Sequence, residues 1–269
     1  MIRNLITLIV CFFIINDIHS QTLSLDFDAG YGFKFNPKEI VDGNVFIDET
    51  KDSFIYQGLL HSFGEGYNYG ISLNYSSERL RLGIFSSYLD AKEVNQIITG
   101  LSDNKQITTY KSSMLRIGIE IGSNFTIKSN KLYVMTGAYV GLFGKINSSY
   151  TDGIFYNNEF VYHSGISSGI VNIIGWEIKI NNNVTISPEI KHFSETFIPR
   201  RGEIIQFKVN GQDKLNSLDY YTKHIEYVSE YTESMDPFFI DRTKAQKRHF
   251  ISFPYSSIGI NIVFKFAFN

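Results

Sequence analysis

A chain of 269 residues with a formal net charge of −2 has no basic excess with which to hold nucleic acid. Its 23 Phe and 17 Tyr against 5 Pro, with 19% charged residues, exclude a disordered chain or a helical bundle and suit β-structure. Past the N-terminus no stretch is long and apolar enough for a membrane-crossing helix, which leaves strands as the only spans open to it.

Residues 1–20 read as a secretory signal. Arg3 supplies the positive start, Leu5 to Ile15 the apolar core, and Ser20 a small residue before cleavage. Residues 21–269 then form one domain. Cys11, the single cysteine, lies inside that apolar core behind Val10, so neither a lipid anchor nor a disulfide is expected. A secreted chain without disulfides must be held by packing and backbone pairing, which a closed sheet supplies.

Side chains on an extended backbone swap faces at every step, and this alternation recurs in eight segments. The first, Leu23 to Phe35, sets Leu25, Phe27, Ala29, Tyr31 and Phe33 against Asp26, Asp28, Gly30, Gly32 and Lys34. Tyr67 to Tyr75, Leu80 to Tyr88 and Met114 to Ser123 follow the same rule, with Arg81, Arg116 and Glu120 opposite rows of Leu and Ile. In the fifth, Leu132 to Phe143, the phase is open, because Tyr133, Met135 and Tyr139 share a face with Gly137 and Gly141. The sixth, Ile166 to Lys179, puts Ile170, Ile174, Trp176 and Ile178 opposite Gly169, Gly175 and Glu177. The seventh, Val184 to Phe193, opposes Glu189 and Lys191 to aliphatic residues and needs an irregularity at Pro188. The eighth, Ile258 to Asn269, has Ile258, Ile260, Ile262, Phe264, Phe266 and Phe268 on one side and Lys265 on the other.

Connections alternate between short (76–79, 124–130, 181–183) and long (36–66, 90–113, 144–165, 194–250). In an up-and-down sheet all long loops then fall at one end, the layout of an eight-stranded outer-membrane barrel with short periplasmic turns and long extracellular loops. The glycines share a face with the charges, and a narrow bore filled by long charged side chains needs small neighbours. A soluble, lipocalin-like barrel would turn its apolar face inward instead; once a membrane is assumed, an Arg or Lys facing the bilayer midplane would cost about 2–4 kcal/mol, so the charged face goes inside and the apolar face to lipid. Asp26, Asp28, Lys34, Arg81, Arg116, Glu120, Glu177, Glu189, Lys191 and Lys265 are therefore expected to form a salt-bridged plug in the lumen.

The stretch "TTYKSSMLRIGIEIGSNFTIKSNKLYVMTGAYVGLFGK", then "SGIVNIIGWEIKINNNVTISPEIKHFSETF" and the aromatic last strand resemble the outer membrane protein beta-barrel domain family, small porin-like barrels of Bacteroidetes-type bacteria. The resemblance implies a barrel in a bacterial outer membrane, in contact with lipid and with the barrel-assembly machinery, and the chain is expected to be monomeric. Phe264, Phe266 and Phe268 would form its insertion signal. It says little about function.

"HFSE" near the end of the seventh strand is similar to the rim site of lipid A deacylases, with His192 as base, Ser194 as nucleophile and Glu195 or Glu203 as orienting acid. The plainer expectation is a strand end without catalysis. The 194–250 connection carries Tyr220, Tyr221, Tyr227, Tyr231, Phe238 and Phe239 among charges. Leu218, Tyr221, Ile225, Val228 and Met235 fall near helical spacing, whereas Glu203 to Val209 alternates enough to extend the wall or to make ten strands. Histidine spacing gives no metal site, and no glycine loop for a phosphate cofactor occurs. The expected role is thus non-enzymatic: structural, or binding an extracellular protein or glycan. A narrow pore or secretion accessory, and the deacylase, remain as alternatives.

Overall fold

The computed structural model describes residues 22–50, 53–99, 105–127, 130–152, 155–230 and 240–268. The signal segment, Tyr231, Met235, Phe238, Phe239 and Asn269 lie outside the described residues. Strands follow in chain order as β1 (Thr22–Lys34), β2 (Lys38–Thr50), β3 (Ser53–His61), β4 (Gly66–Ser76), β5 (Leu80–Ala91), β6 (Val94–Thr99), β7 (Lys105–Ile127) and β8 (Asn130–Thr151). They continue as β9 (Tyr156–Lys179), β10 (Val184–Ile198), β11 (Arg201–Val209), β12 (Gln212–Asp213), β13 (His224–Val228), β14 (Gln246–His249), β15 (Phe253–Pro254) and β16 (Ser257–Phe268). A 3-10 turn, Leu215–Ser217, and one turn of α-helix, α1 (Tyr220–Lys223), precede β13. No helix among the described residues is long and apolar enough to cross a membrane.

Eight of these strands close a ring in the order β1, β4, β5, β7, β8, β9, β10, β16 and back to β1, each antiparallel to its neighbours. Closure runs from Leu23 opposite Phe268 to Lys34 opposite Ser257. The alternation seen in the sequence becomes an inside and an outside. Ile71, Ile84, Ile119, Ile170, Ile190 and Ile260 are all exposed outside, Ile119 at 64%, while Asp26, Arg81, Arg116, Glu189 and Lys265 are buried inside. Pro188, which has no N–H to give, is paired with Ile262 of β16, and the β9 ladder skips Ser187 and Pro188 between Ile186 and Glu189.

The open phase of the fifth strand resolves inward. Tyr133 pairs across the ladder with Gly175 and Tyr139 with Gly169, and each ring lies over the space a Cβ would take there. A glycine on one strand thus seats the tyrosine of the next, and both hydroxyls reach carboxylates deeper in the bore.

At the long-connection end the strands overrun the ring. β7 starts at Lys105 rather than near Met114, and β8 and β9 pair out to Thr151 and Asn157. The ladder bends where Phe143 (φ 54°) and Ser164 (φ 60°) adopt left-handed backbone, and the register of β8 against β9 shifts around Gly144. β11 pairs with the overrunning half of β9, β13 with β11, and β14 runs parallel to β13. The connections expected as loops therefore carry strands. The alternating Glu203 to Val209 segment extends the wall without joining the ring.

The helical spacing from Leu218 to Met235 does not give a long helix. Asp219 caps a single turn by accepting from the Thr222 N–H, 2.8 Å. β-structure then takes over, because Ile225 and Tyr227 alternate onto a buried face against Tyr162 and Phe253.

Replacing Gly175 by Val places branched carbons where the Tyr133 ring lies. We expect a loss of about 1–3 kcal/mol, read as a lower urea midpoint of the refolded protein, with Tyr133→Ala/Gly175→Val losing less than the sum of the two changes.

Candidate functional site

The bore is filled in layers. Nearest the short turns, Arg81 of β5 pairs with Asp26 of β1 at 2.9 Å and with Glu177 of β9 at 2.8 Å, and Lys265 of β16 reaches the same Glu177 oxygen at 2.9 Å. The Tyr133 ring carries both cations, with the Arg81 guanidinium carbon 4.3 Å and the Lys265 Nζ 3.8 Å from its centre. Above, Lys191 bridges Asp28 at 2.9 Å and Glu189 at 3.2 Å, and the Tyr133 hydroxyl donates to Glu189. Glu120 is buried beside them, without an ion pair among the described residues. The cavity these side chains leave is about 20 Å³, room for about one water.

Higher still, Arg116 is fully buried. Its Nε donates to Glu195 at 2.8 Å and its Nη1 to Asn68 at 3.0 Å, over the Phe193 ring. Ser167 and Tyr139 also donate to Glu195. Capping this layer are Phe63, Leu89, Met114, Ile146, Phe197 and Tyr255. Phe63 and Tyr255 come from segments far apart in sequence, held together by the Phe63 N–H to Pro254 carbonyl bond, 2.7 Å, and the Ser62 hydroxyl to Ser256 carbonyl bond, 2.6 Å.

Of the ten charges picked from the sequence, nine sit in the packed interior, and Lys34 emerges exposed above it. Glu195 was missed as an interior charge, although its odd position shares a face with Glu189 and Lys191; its neighbours in "HFSE" drew it toward catalysis instead. The structure separates that trio. Ser194 is exposed on the outside face, His192 packs its ring 4.8 Å from Phe35 on the same side, and Glu195 points inward to Arg116. Glu203 lies on β11 and contacts His224 and Lys223 instead. Phe264, Phe266 and Phe268 line the outside of β16 at the closing seam.

A second site was not legible in the sequence. The wall beyond the ring has an apolar inner face, with Tyr162, Ile225 and Tyr227 in the cap, and a polar outer face. On that outer face His163 of β9 stands opposite Arg201 of β11, Arg201 opposite Glu226 of β13, and Glu226 beside Lys247 of β14. One level along, Glu203 stands opposite His224. The walls are α1 and the turn through Asp241 to Ala245, clasped by an Arg242–Asp219 ion pair of 2.7 Å and by the Tyr221 N–H donating to the Arg242 carbonyl. The cleft encloses about 720 Å³. His163 is pushed below the usual imidazole range by its partial burial, so it is neutral at pH 7.

No family model matches the chain, and no curated protein matches it. The resemblance to barrel proteins therefore rests on the quoted residues alone.

Replacing Arg116 by Met strands the buried Glu195 carboxylate and should cost about 3–5 kcal/mol in a urea titration. Arg116→Met/Glu195→Gln should recover most of that loss. A second expectation concerns His61, which packs edge-on to Phe63 at 4.9 Å and whose Nε2 has no partner. Burial lowers its pKa to about 4. The fold favours the neutral ring, so its contribution is full above the unfolded pKa of about 6.5 and is lost as pH falls toward the folded value, at most about 3 kcal/mol. Hydrogen exchange at Phe63 and Gly64, corrected for intrinsic rate, should accelerate at pH 5 relative to pH 7.5, and His61→Phe should flatten that response.

Proposed function

We propose that this chain is an integral outer-membrane β-barrel with a sealed bore, which works by binding a ligand or partner on the wall that stands outside the cell. The observation that carries the reading is the outer surface of the closed ring. Its middle is a belt of exposed Ile, Leu, Val and Phe, crossed by one polar seam of Thr136, Asn172 and His192, and it is bounded by Phe33, Tyr67 and Tyr88 at one end and by Phe125, Trp176, Phe266 and Phe268 at the other. Such apolar bands flanked by aromatic girdles are the signature of strands solvated by acyl chains. β16 presents the belt from Ile258 to Phe268, and 11 residues rising about 3.3 Å each at a tilt of about 40° cover roughly 25–28 Å, the height of a bilayer core. A water-soluble protein exposing this much contiguous apolar surface would aggregate.

Closure supports the same reading, because it leaves no unpaired edge among the ring strands. The apolar stretch Leu5 to Ile15 behind Arg3 fits export, and the strand-rich long connections then face outside. A filled bore speaks for binding and against conduction, and the split of His192 and Ser194 from Glu195 across the wall removes the nearest acid a hydrolase would use. We therefore read the protein as non-catalytic.

Trp176, the only tryptophan, sits in the lower girdle and reports on lipid directly. After refolding into vesicles, its fluorescence should be quenched by phospholipids brominated on their acyl chains, and planar bilayers should show no stable large conductance steps. A processed protein that stays monomeric in buffer without detergent, with Trp176 unquenched, would sink the membrane reading. Regular conductance steps would restore the pore alternative.

A further inference from the structure

The outer cleft has a chemistry of its own. Its floor crosses four strands, and three spacings of about 4.8 Å make it about 14 Å long, the reach of a short chain of rings rather than of one small ion. Along it the order is imidazole, guanidinium, carboxylate, ammonium, from His163, Arg201, Glu226 and Lys247. Among the described residues neither Arg201 nor Lys247 makes an ion pair, whereas Glu203 is engaged by Lys223 at 3.7 Å and His224 at 3.4 Å. Two cations are thus left for a ligand. Tyr220 adds a flat aromatic surface, 51% exposed and stacked on His224 with ring centres 4.0 Å apart and planes 18° from parallel. The volume, about 720 Å³, is in the range that encloses a ligand of several rings.

These features select among ligand classes. An acyl chain would leave the ionic floor unsatisfied. A simple phosphate would use the cations and ignore the aromatic face and the length. A sugar chain with carboxylate or sulfate groups uses all of them: C–H faces of the rings lie on Tyr220, hydroxyls exchange hydrogen bonds with Glu226, Lys247 and the imidazoles, and the anionic group takes charge-assisted bonds from Arg201.

We propose that this cleft binds a short acidic saccharide, uronate or sulfated, with its anionic group against Arg201 on the His163 side, its hydroxyls reaching Glu226 and Lys247, and a ring against Tyr220. The proposal rests on the reading that this wall stands outside the cell, where such chains are met. His163, neutral at pH 7, contributes a hydrogen bond there and not a charge.

The test is calorimetric titration of the full chain refolded in detergent micelles, using oligogalacturonate, a sulfated oligosaccharide and a neutral malto-oligosaccharide of matched length. Acidic chains should bind with an affinity that falls as salt rises, and the neutral one should not. Arg201→Gln, Lys247→Gln and Tyr220→Ala should each weaken binding about tenfold or more, while Lys131→Gln, at the far end of the ring, should leave it unchanged. A response to one acidic chain alone assigns uronate or sulfate. Equal binding of neutral and acidic chains, equal loss in Lys131→Gln, or no binding by protein with a normal urea midpoint and quenched Trp176 overturns the proposal while leaving the membrane reading in place. Protein that proves freely soluble overturns the membrane reading, and the same titration in buffer still decides the cleft.

Discussion

Pairing of the first ring strand with the last is the constraint on which the rest depends. From Leu23 opposite Phe268 to Lys34 opposite Ser257, the β1–β16 ladder removes the two edges that an open eight-stranded sheet would present. An unpaired backbone group costs several kcal/mol in hydrocarbon, and in water a long apolar edge invites pairing with another chain. Once the sheet closes, each residue must be inside or outside, and a one-residue slip at any seam would exchange Lys265 for Phe264 or Phe266. The register is therefore held from both sides of the wall, by charge pairing within and by a largely apolar surface without.

A bore of eight strands is too narrow to leave polar groups hydrated and too wide to be filled by backbone alone. The molecule meets this in two ways along its length. In the lower and middle layers four cations are interleaved with carboxylates, and Tyr133 serves as a shelf for two of the cations while its hydroxyl reaches Glu189. Near the long-connection end charge gives way to Phe63, Phe197 and Tyr255. An ion entering there would meet an apolar cap before any compensating charge. Two of the segments in that cap, those carrying Phe63 and Tyr255, precede β4 and β16, so the cap is complete only when these distant parts of the chain have come together.

How much of this could be read from residues alone varies with the contrast between the two faces. The ring strands were legible because Ile117, Ile119 and Ile121 alternate with Arg116, Gly118 and Glu120, a contrast between an exposed apolar face and a buried face that holds the charges. Beyond the ring that contrast fades. "KQITTYKS" in β7 and "YNNEFVYHSG" in β9 have polar residues on both faces, and the left-handed residues Phe143 and Ser164 shift the phase just where the pattern weakens. The interior role of Glu195 was hidden by a short motif that looks catalytic when written in line but alternates across a strand when folded. The cleft could not be read at all. Its row of His163, Arg201, Glu226 and Lys247 is assembled by pairings between residues 21 to 38 positions apart, including the parallel β13–β14 contact, which leaves no trace in local periodicity.

β9 is 24 residues long and serves two neighbours on one edge, β10 along its later half and β11 along its earlier half, while β8 accompanies it throughout. A load on the wall beyond the ring therefore strains the closed ring lengthwise along a shared ladder of amide bonds. Rungs loaded side by side yield together or not at all, whereas rungs peeled from a frayed end yield one by one. This strand is one continuous post, shared by the wall at its earlier end and the ring at its later end.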